Sequence, residues 1–118
     1  MFRVIIAGGR NFNDYELLER SMDRLLVNIT EDIAVVCGMA RGADTLGETY
    51  AKSRGYEVHY FPADWDQFGK SAGYRRNEQM AQNADALVAF WNGESRGTKH
   101  MIDLAKRYNL KVRIIRYE

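Results

Sequence analysis

The pattern that decides the fold is clearest in the stretch Asp32–Asp44, which reads DIAVVCGMARGAD. Residues 32–37 form a short run rich in valine and isoleucine, typical of a strand buried on both faces of a parallel sheet. Two glycines then bracket a tight turn, and a helix over about 43–54 follows. Gly55 ends that helix at a position that favours glycine. The stretch therefore predicts one strand–turn–helix unit.

The same unit recurs along the chain. Further strands are predicted at 2–7, 57–61, 86–91 and 111–117, and further helices at about 14–27, 74–83 and 98–108, with 62–73 irregular. Asn13 and Glu16 resemble a capping box at the first helix. Strand–helix alternation with short connections predicts a single α/β domain over 1–118. We expect a Rossmann-like three-layer fold with helices on both faces of a five-stranded, mostly parallel sheet of order 3-2-1-4-5.

The composition is that of an ordinary globular domain, with 46% apolar and 28% charged residues. The net charge of +1 gives no global reason to expect long nucleic acid or a membrane surface as partner. No apolar run approaches the roughly 20 residues that span a bilayer, and the N-terminus lacks a signal-peptide layout. We therefore expect a cytoplasmic protein in which the single cysteine, Cys37, is a buried inert thiol rather than a reactive one.

Four glycine-bearing turns follow predicted strands. In a parallel sheet they share the carboxyl edge, where such folds bind ligands. Glycine allows close backbone approach, and the helix that follows offers N–H groups to an anion. The alternative is that these are plain strand-to-helix turns that use glycine for geometry. The turns are Gly8-Gly9-Arg10, Gly38 to Asp44, Phe68 to Gly73, and Asn92 to Thr98.

Several residues in these turns have two interpretations. Gly8 and Gly9 indicate close approach by either a ligand or the neighbouring turn, and Arg10 is either a phosphate clamp or a solvated charge. Asp44 either complements its helix N-terminus or acts in the cleft as a hydroxyl acceptor or general base. Thr98 either caps its helix or contacts ligand. The predicted ligand-binding residues are Gly8, Gly9, Arg10, Gly38, Ala40, Arg41, Gly42, Ala43, Asp44, Trp65, Arg76, Asn77, Asn92, Gly93, Ser95, Gly97 and Thr98.

Basic residues around this edge suit a small anionic ligand better than a long nucleic-acid track, unless they are scattered surface charges. They are Arg10, Arg41, Lys70, Arg75, Arg76, Arg96 and Lys99. Nearby aromatic side chains either pack the loop or stack on a base, and Trp65, in the middle of the loop, is the best candidate for stacking. We expect no metal site, because His59 and His100 lack ligand spacing.

Two motifs resemble those of known families. Gly38 to Asp44 is similar to the Gly-x-Ala-Arg-Gly-x-Asp motif of the Smf/DprA proteins. Gly93 to Thr98, through its Gly97-Thr98 end, resembles the Pro-Gly-Gly-x-Gly-Thr turn of the LOG ("lonely guy") phosphoribohydrolases. Together they indicate the SLOG superfamily of Rossmann-like domains. The greatest similarity is to its small YspA-related branch, through Gly8-Gly9-Arg10, Gly38 to Asp44, Phe61 to Trp65, and Arg76-Asn77.

The resemblance implies a nucleotide or nucleotide-derived ligand, with no other cofactor identified, and often a dimer or larger assembly. It gives binding roles to Gly38, Arg41, Gly42, Asp44, Gly97 and Thr98. Met101 stands where LOG enzymes have their catalytic glutamate, and Glu94 and Ser95 replace two glycines. Hydrolysis would need another acid, namely Asp44, Asp64 or Asp66. We expect a nucleotide sensor or binding domain. The alternatives are an N-glycosidic hydrolase of nucleoside phosphates and a single-stranded DNA-binding module.

Overall fold

The computed structural model describes residues 1–118 and contains one five-stranded sheet. All neighbouring strands run parallel, in the order β3-β2-β1-β4-β5. The predicted fold class and strand order are therefore confirmed, and the topological switch lies between the first and fourth strands. The strands are β1 (Phe2–Gly8), β2 (Ile33–Cys37), β3 (Glu57–Tyr60), β4 (Ala86–Trp91) and β5 (Lys111–Arg116).

Helices cover both faces of the sheet because its central strands are apolar on both sides. Along β1, Val4 and Ile6 join one core cluster and Ile5 and Ala7 join the other. The first cluster includes residues of the first two helices, and the second includes residues of the last two. The helices are α1 (Tyr15–Leu26), α2 (Ala43–Arg54), α3 (Trp65–Phe68), α4 (Ala72–Gln82) and α5 (Arg96–Arg107).

The third connection is more ordered than the sequence predicted. Residues 62–73, expected to be irregular, contain α3, a 3₁₀ turn at Gly69–Ser71 and the first residues of α4. Asp64 caps the start of α3, because its Oδ1 accepts the backbone N–H of Gln67 at 3.1 Å. This local hydrogen bond satisfies an N–H group that would otherwise lack a partner at the helix start.

At the starts of α1 and α5, the N-cap residue differs from the residue that the sequence suggested. The N-cap of α1 is Asp14, whose Oδ1 accepts the N–H of Leu17 at 3.0 Å, so the Asn13 capping box is wrong. At α5 the cap is Ser95, whose Oγ accepts the N–H of Thr98 at 3.3 Å. That helix consequently begins at Arg96, two residues before the predicted start, and Thr98 is not its cap.

Cys37 is buried, as expected, with 2% of its surface exposed. Its Sγ donates to the carbonyl oxygen of Asp44 at 3.7 Å and accepts the N–H of Met39 at 3.4 Å. Burial raises the pKa of the thiol to about 11, which disfavours the reactive thiolate at neutral pH.

Every helix of the structure is too short or too polar to cross a membrane.

Candidate functional site

A cleft of about 410 Å³ opens at the carboxyl edge of the sheet, where β1 and β4 diverge into their turns. It brings together residues from the first, second and fourth glycine-bearing turns and from α4. The predicted site residues that line it are Gly8, Gly9, Arg10, Ala40, Asp44, Arg76, Asn77, Asn92, Ser95, Gly97 and Thr98. The turns on either side of the topological switch, the first and the fourth, both line this cleft.

The other predicted site residues lie elsewhere. Gly38, Arg41 and Trp65 line an adjoining groove, while Gly42, Ala43 and Gly93 line neither space. Six lining residues of the cleft were missed: Ala7, Asn11, Met80, Glu94, Met101 and Tyr117. Signals existed for four of them: Asn11 directly follows Arg10, Tyr117 follows a strand at the same edge, Glu94 lies in the fourth turn, and Met101 stands at the position of the LOG catalytic glutamate.

The close approach predicted at Gly8 and Gly9 comes from the chain itself. A Cβ atom on Gly8 would lie 2.8 Å from the Cβ of Ala43 and would also overlap the carbonyl oxygen of Phe90. A Cβ atom on Gly9 would overlap the hydroxyl of Tyr117. These two glycines therefore allow the first turn to pack against its neighbours.

Asp44 is buried but keeps one carboxylate oxygen free. Its Oδ2 accepts the N–H of Ala40 at 3.1 Å, which orders the second turn. No hydrogen bond involves Oδ1, although every fully buried polar side-chain atom has a partner, so Oδ1 remains accessible in the cleft wall. Burial raises the pKa of this carboxyl, opposed by the Ala40 N–H and by the positive charges of Arg76 and Arg10. The geometry thus combines a structural bond with an available acceptor.

Arg76 links α4 to the second turn. Its guanidinium donates to the carbonyl oxygen of Gly38, and its Nε donates to Oδ1 of Asn77 at 3.0 Å. Burial lowers the pKa of Arg76, with Asp44 opposing and Arg10 adding to the effect.

Asn77 continues this chain to α5, with its Nδ2 3.2 Å from Nδ1 of His100. Since Oδ1 accepts from Arg76, the amide of Asn77 donates and the imidazole accepts. Burial lowers the pKa of His100, which favours the neutral ring that this bond requires. The network therefore fixes two side chains of the cleft, Arg76 and Asn77.

The start of α5 carries backbone donors that the protein leaves free. Oδ1 of Asn92 accepts the N–H groups of Glu94 and Ser95 at 2.9 and 3.0 Å, which holds the turn. The N–H groups of Arg96 and Gly97 have no acceptor in the protein. At the start of α2 the Ala43 N–H donates to the carbonyl of Gly9 at 3.3 Å, while the N–H groups of Asp44 and Thr45 have no acceptor in the protein.

Among the seven basic residues of the predicted positive rim, only Lys99 forms an ion pair. Lys99 pairs with Asp103 at 2.9 Å, and Arg75 lies over the ring of Phe68 at 4.3 Å. Arg10, Arg41 and Arg76 form no ion pair. No group of three or more histidine, cysteine or carboxylate side chains is arranged to hold a metal ion.

Comparison with known structures shows the same fold in two proteins. DNA processing protein A (DprA) from Streptococcus pneumoniae superposes with a TM-score of 0.75 at 15% identity, covering 99% of this chain and 50% of DprA. The protein TM1055 superposes with a TM-score of 0.68 at 20% identity, covering 95% of this chain and 72% of TM1055. The chain thus spans half the length of DprA, and these likenesses establish the fold alone.

Sequence comparison gives the family. The Gene 61 protein of Mycobacterium phage D29 is 34% identical over 118 residues, covering 95% of this chain and 94% of that protein. The sequence model of the YspA, cpYpsA-related SLOG family matches residues 2–68, which include the first two glycine-bearing turns. With more than half of its length matched, this chain belongs to the YspA, cpYpsA-related SLOG family.

Proposed function

We propose that this protein binds a nucleotide or nucleotide-derived anion in the cleft between the β1 and β4 turns, as a sensor or binding domain. The observation that carries the proposal is the start of α5, where the N–H groups of Arg96 and Gly97 have no acceptor and Gly97 lines the same cleft as the unpaired Arg10. The cleft volume of about 410 Å³ also falls in the usual range for small-molecule sites.

The start of α5 is suited to a phosphoryl group. Two N–H donors and the helix dipole favour an anion there, the dipole contributing roughly 0.3–1 kcal/mol. Glycine at position 97 costs helix stability relative to alanine, by up to about 1 kcal/mol. No atom of the protein approaches its Cβ position within 4 Å, so packing does not explain the glycine. We infer that the glycine at position 97 leaves room for an external group.

The opposite wall suits a sugar. Oδ1 of Asp44 is an acceptor without a protein donor, and a ribose hydroxyl is a donor of the right kind. The amide and guanidinium groups of Asn77 and Arg76 are held in place by the network that reaches His100. One cleft therefore offers a helix start for a phosphate, an acceptor for a sugar hydroxyl and a cationic side chain for the negative charge of the ligand.

A ligand panel tests the proposal by thermal unfolding. We expect one class among nucleoside phosphates, ADP-ribose, NAD and cyclic nucleotides to raise the midpoint. A ligand at 100 times its dissociation constant stabilises by about 2.7 kcal/mol, which is on the order of 10 °C for a domain of this size. A flat panel with ligand-free protein, or a shift with single-stranded DNA alone, would contradict the proposal.

Binding without turnover is favoured by Met101. Its side chain lies in the cleft wall with 1% of its surface exposed, and a thioether transfers no proton. One observation favours a second candidate function, N-glycosidic hydrolysis. Burial raises the pKa of Asp44 in the cleft, and raised pKa values are a property of carboxyl groups that act in acid–base catalysis.

Turnover distinguishes these candidates. We expect the wild-type protein to release no free base from nucleoside monophosphates above the rate in buffer, measured by chromatography over hours. Asp44→Asn keeps an oxygen that accepts the Ala40 N–H, so it preserves the turn while removing the acid. Base release by the wild type that falls at least about 100-fold in Asp44→Asn, with binding retained, would establish hydrolysis and disprove a binding-only role.

A further inference from the structure

A second groove, of about 550 Å³, adjoins the cleft. The two spaces share Arg10, Ala40 and Arg76 in their walls, so they lie next to each other. The rest of the groove comes from the second turn and from the segment that leads into α3, with Met39, Arg41 and Trp65 the largest side chains. A ligand in the cleft that extends past Arg10 and Arg76 enters this groove.

The groove carries positive charge without a carboxylate. Three arginines and no acidic residue line it. Arg10 and Arg41 are exposed and make no hydrogen bond or ion pair with a side chain, and Arg76 donates only to a carbonyl and an amide oxygen. Arg54, by contrast, forms ion pairs with both Glu19 and Asp23. Cations that repel one another at close range are stabilised by an anionic group placed among them.

Trp65 is the aromatic residue that lines this groove, while the equally exposed Tyr74 packs edge-on against His100. The side chain of Trp65 is 52% exposed, and its indole N–H has no acceptor in the protein. Phe68 is covered by Arg75, and the Nε1 of Trp91 donates to the carbonyl oxygen of Ser95 at 3.1 Å. An indole that packed the loop would be buried, whereas a half-exposed ring beside cations offers a stacking surface to a base.

We propose that the ligand occupies both spaces: a nucleotide with at least two phosphoryl groups, one at the start of α5 and one among Arg10, Arg41 and Arg76, with its base against Trp65. This inference rests on the proposed function and narrows its ligand class. A nucleoside monophosphate would leave either the helix start or the arginine groove without an anion.

A ligand series tests the second phosphoryl group. Binding of adenosine, AMP, ADP, ADP-ribose and inorganic pyrophosphate is measured by calorimetry at one ionic strength. We expect at least one adenosine ligand with two phosphoryl groups to bind about tenfold or more tightly than AMP, as a charge-assisted contact allows. Arg41→Ala should remove that gain while leaving AMP affinity within about twofold. Arg113→Ala, an exposed arginine of β5 outside both spaces, is the matched charge control.

Stacking is tested by fluorescence and by a second pair of variants. Adenosine ligands should change the indole emission of the wild type, and this change should disappear in Trp65→Phe, which keeps a ring and most of the affinity. Trp65→Ala should weaken base-bearing ligands roughly 5- to 150-fold and leave pyrophosphate unaffected. Because Trp65 is half exposed, both variants should unfold at the wild-type temperature.

The outcomes separate this inference from the proposed function. In one outcome Gly97→Val abolishes nucleotide binding, while Arg41→Ala and Trp65→Ala leave it unchanged. This outcome overturns the inference that the ligand occupies both spaces, but it leaves the assignment of the cleft intact. AMP affinity equal to that of every ligand with two phosphoryl groups also overturns that inference. If no ligand of this series or of the wider nucleotide panel binds, both proposals fail.

Discussion

Gly42→Ala is expected to lower the free energy of unfolding by about 3 kcal/mol or more. Gly42 has φ +76° and ψ −122°, a region that is essentially restricted to glycine and costs other residues roughly 1–3 kcal/mol. An added Cβ would also lie 2.6 Å from the carbonyl oxygen of Arg10 and would overlap that of Gly9. The Gly9 carbonyl is fixed, since it accepts the N–H groups of Phe12 and Ala43 at 3.1 and 3.3 Å. Backbone strain and overlap therefore add.

Urea unfolding of three alanine variants separates these contributions. Gly55 has φ +72° but no atom within 4 Å of its Cβ position, so Gly55→Ala should cost only the left-handed backbone energy, about 1–2 kcal/mol. Gly97 has neither constraint, and Gly97→Ala should be neutral or slightly stabilising. If Gly42→Ala loses no more stability than Gly55→Ala, the contact between the first and second turns is not rigid.

The sheet could be predicted because its signals are local. Val4, Ile5, Ile6 and Ala7 form a continuous apolar run, and each face of β1 meets its own core cluster. Helix starts were less predictable because adjacent residues compete for the same role. Asn13 and Asp14 are both good caps, as are Ser95 and Thr98, and the choice depends on which oxygen reaches a free N–H.

The edge that holds the candidate site could also be predicted, since all carboxyl ends of parallel strands meet there. Which residues of this edge remain accessible and which are covered by other parts of the chain could not be predicted. Gly9 is closed off by Tyr117, and Gly38 lies against Arg76, contacts between residues far apart in sequence. Sequence alone gave the second and fourth turns equal claims on an anion. The structure shows that Gly42 in the second turn packs against the carbonyl groups of Gly9 and Arg10, whereas Gly97 in the fourth turn lines the cleft with open space at its Cβ position.

This difference between the turns leads to the prediction with the largest effect on binding. Gly97→Val is expected to weaken the ligand that the panel identifies by about 100-fold or more, equivalent to roughly 2.7 kcal/mol. The valine side chain would occupy the space in front of the free N–H groups of Arg96 and Gly97, so a phosphoryl group could no longer reach them. Stability should change little, because no protein atom lies within 4 Å of the new Cβ.

The matched control for this prediction is a valine at the equivalent position of another helix, α1. Glu16 is the second residue of α1, as Gly97 is of α5, and it is exposed and outside the cleft. Glu16→Val should cost a few tenths of a kcal/mol, up to about 1, by removing a charge that complements the helix dipole, and it should leave affinity unchanged. Calorimetric titration of both variants measures the contrast. If Gly97→Val binds the ligand with wild-type affinity, the start of α5 is not part of the binding site. A branched side chain at position 97 would then fill the space without displacing the ligand.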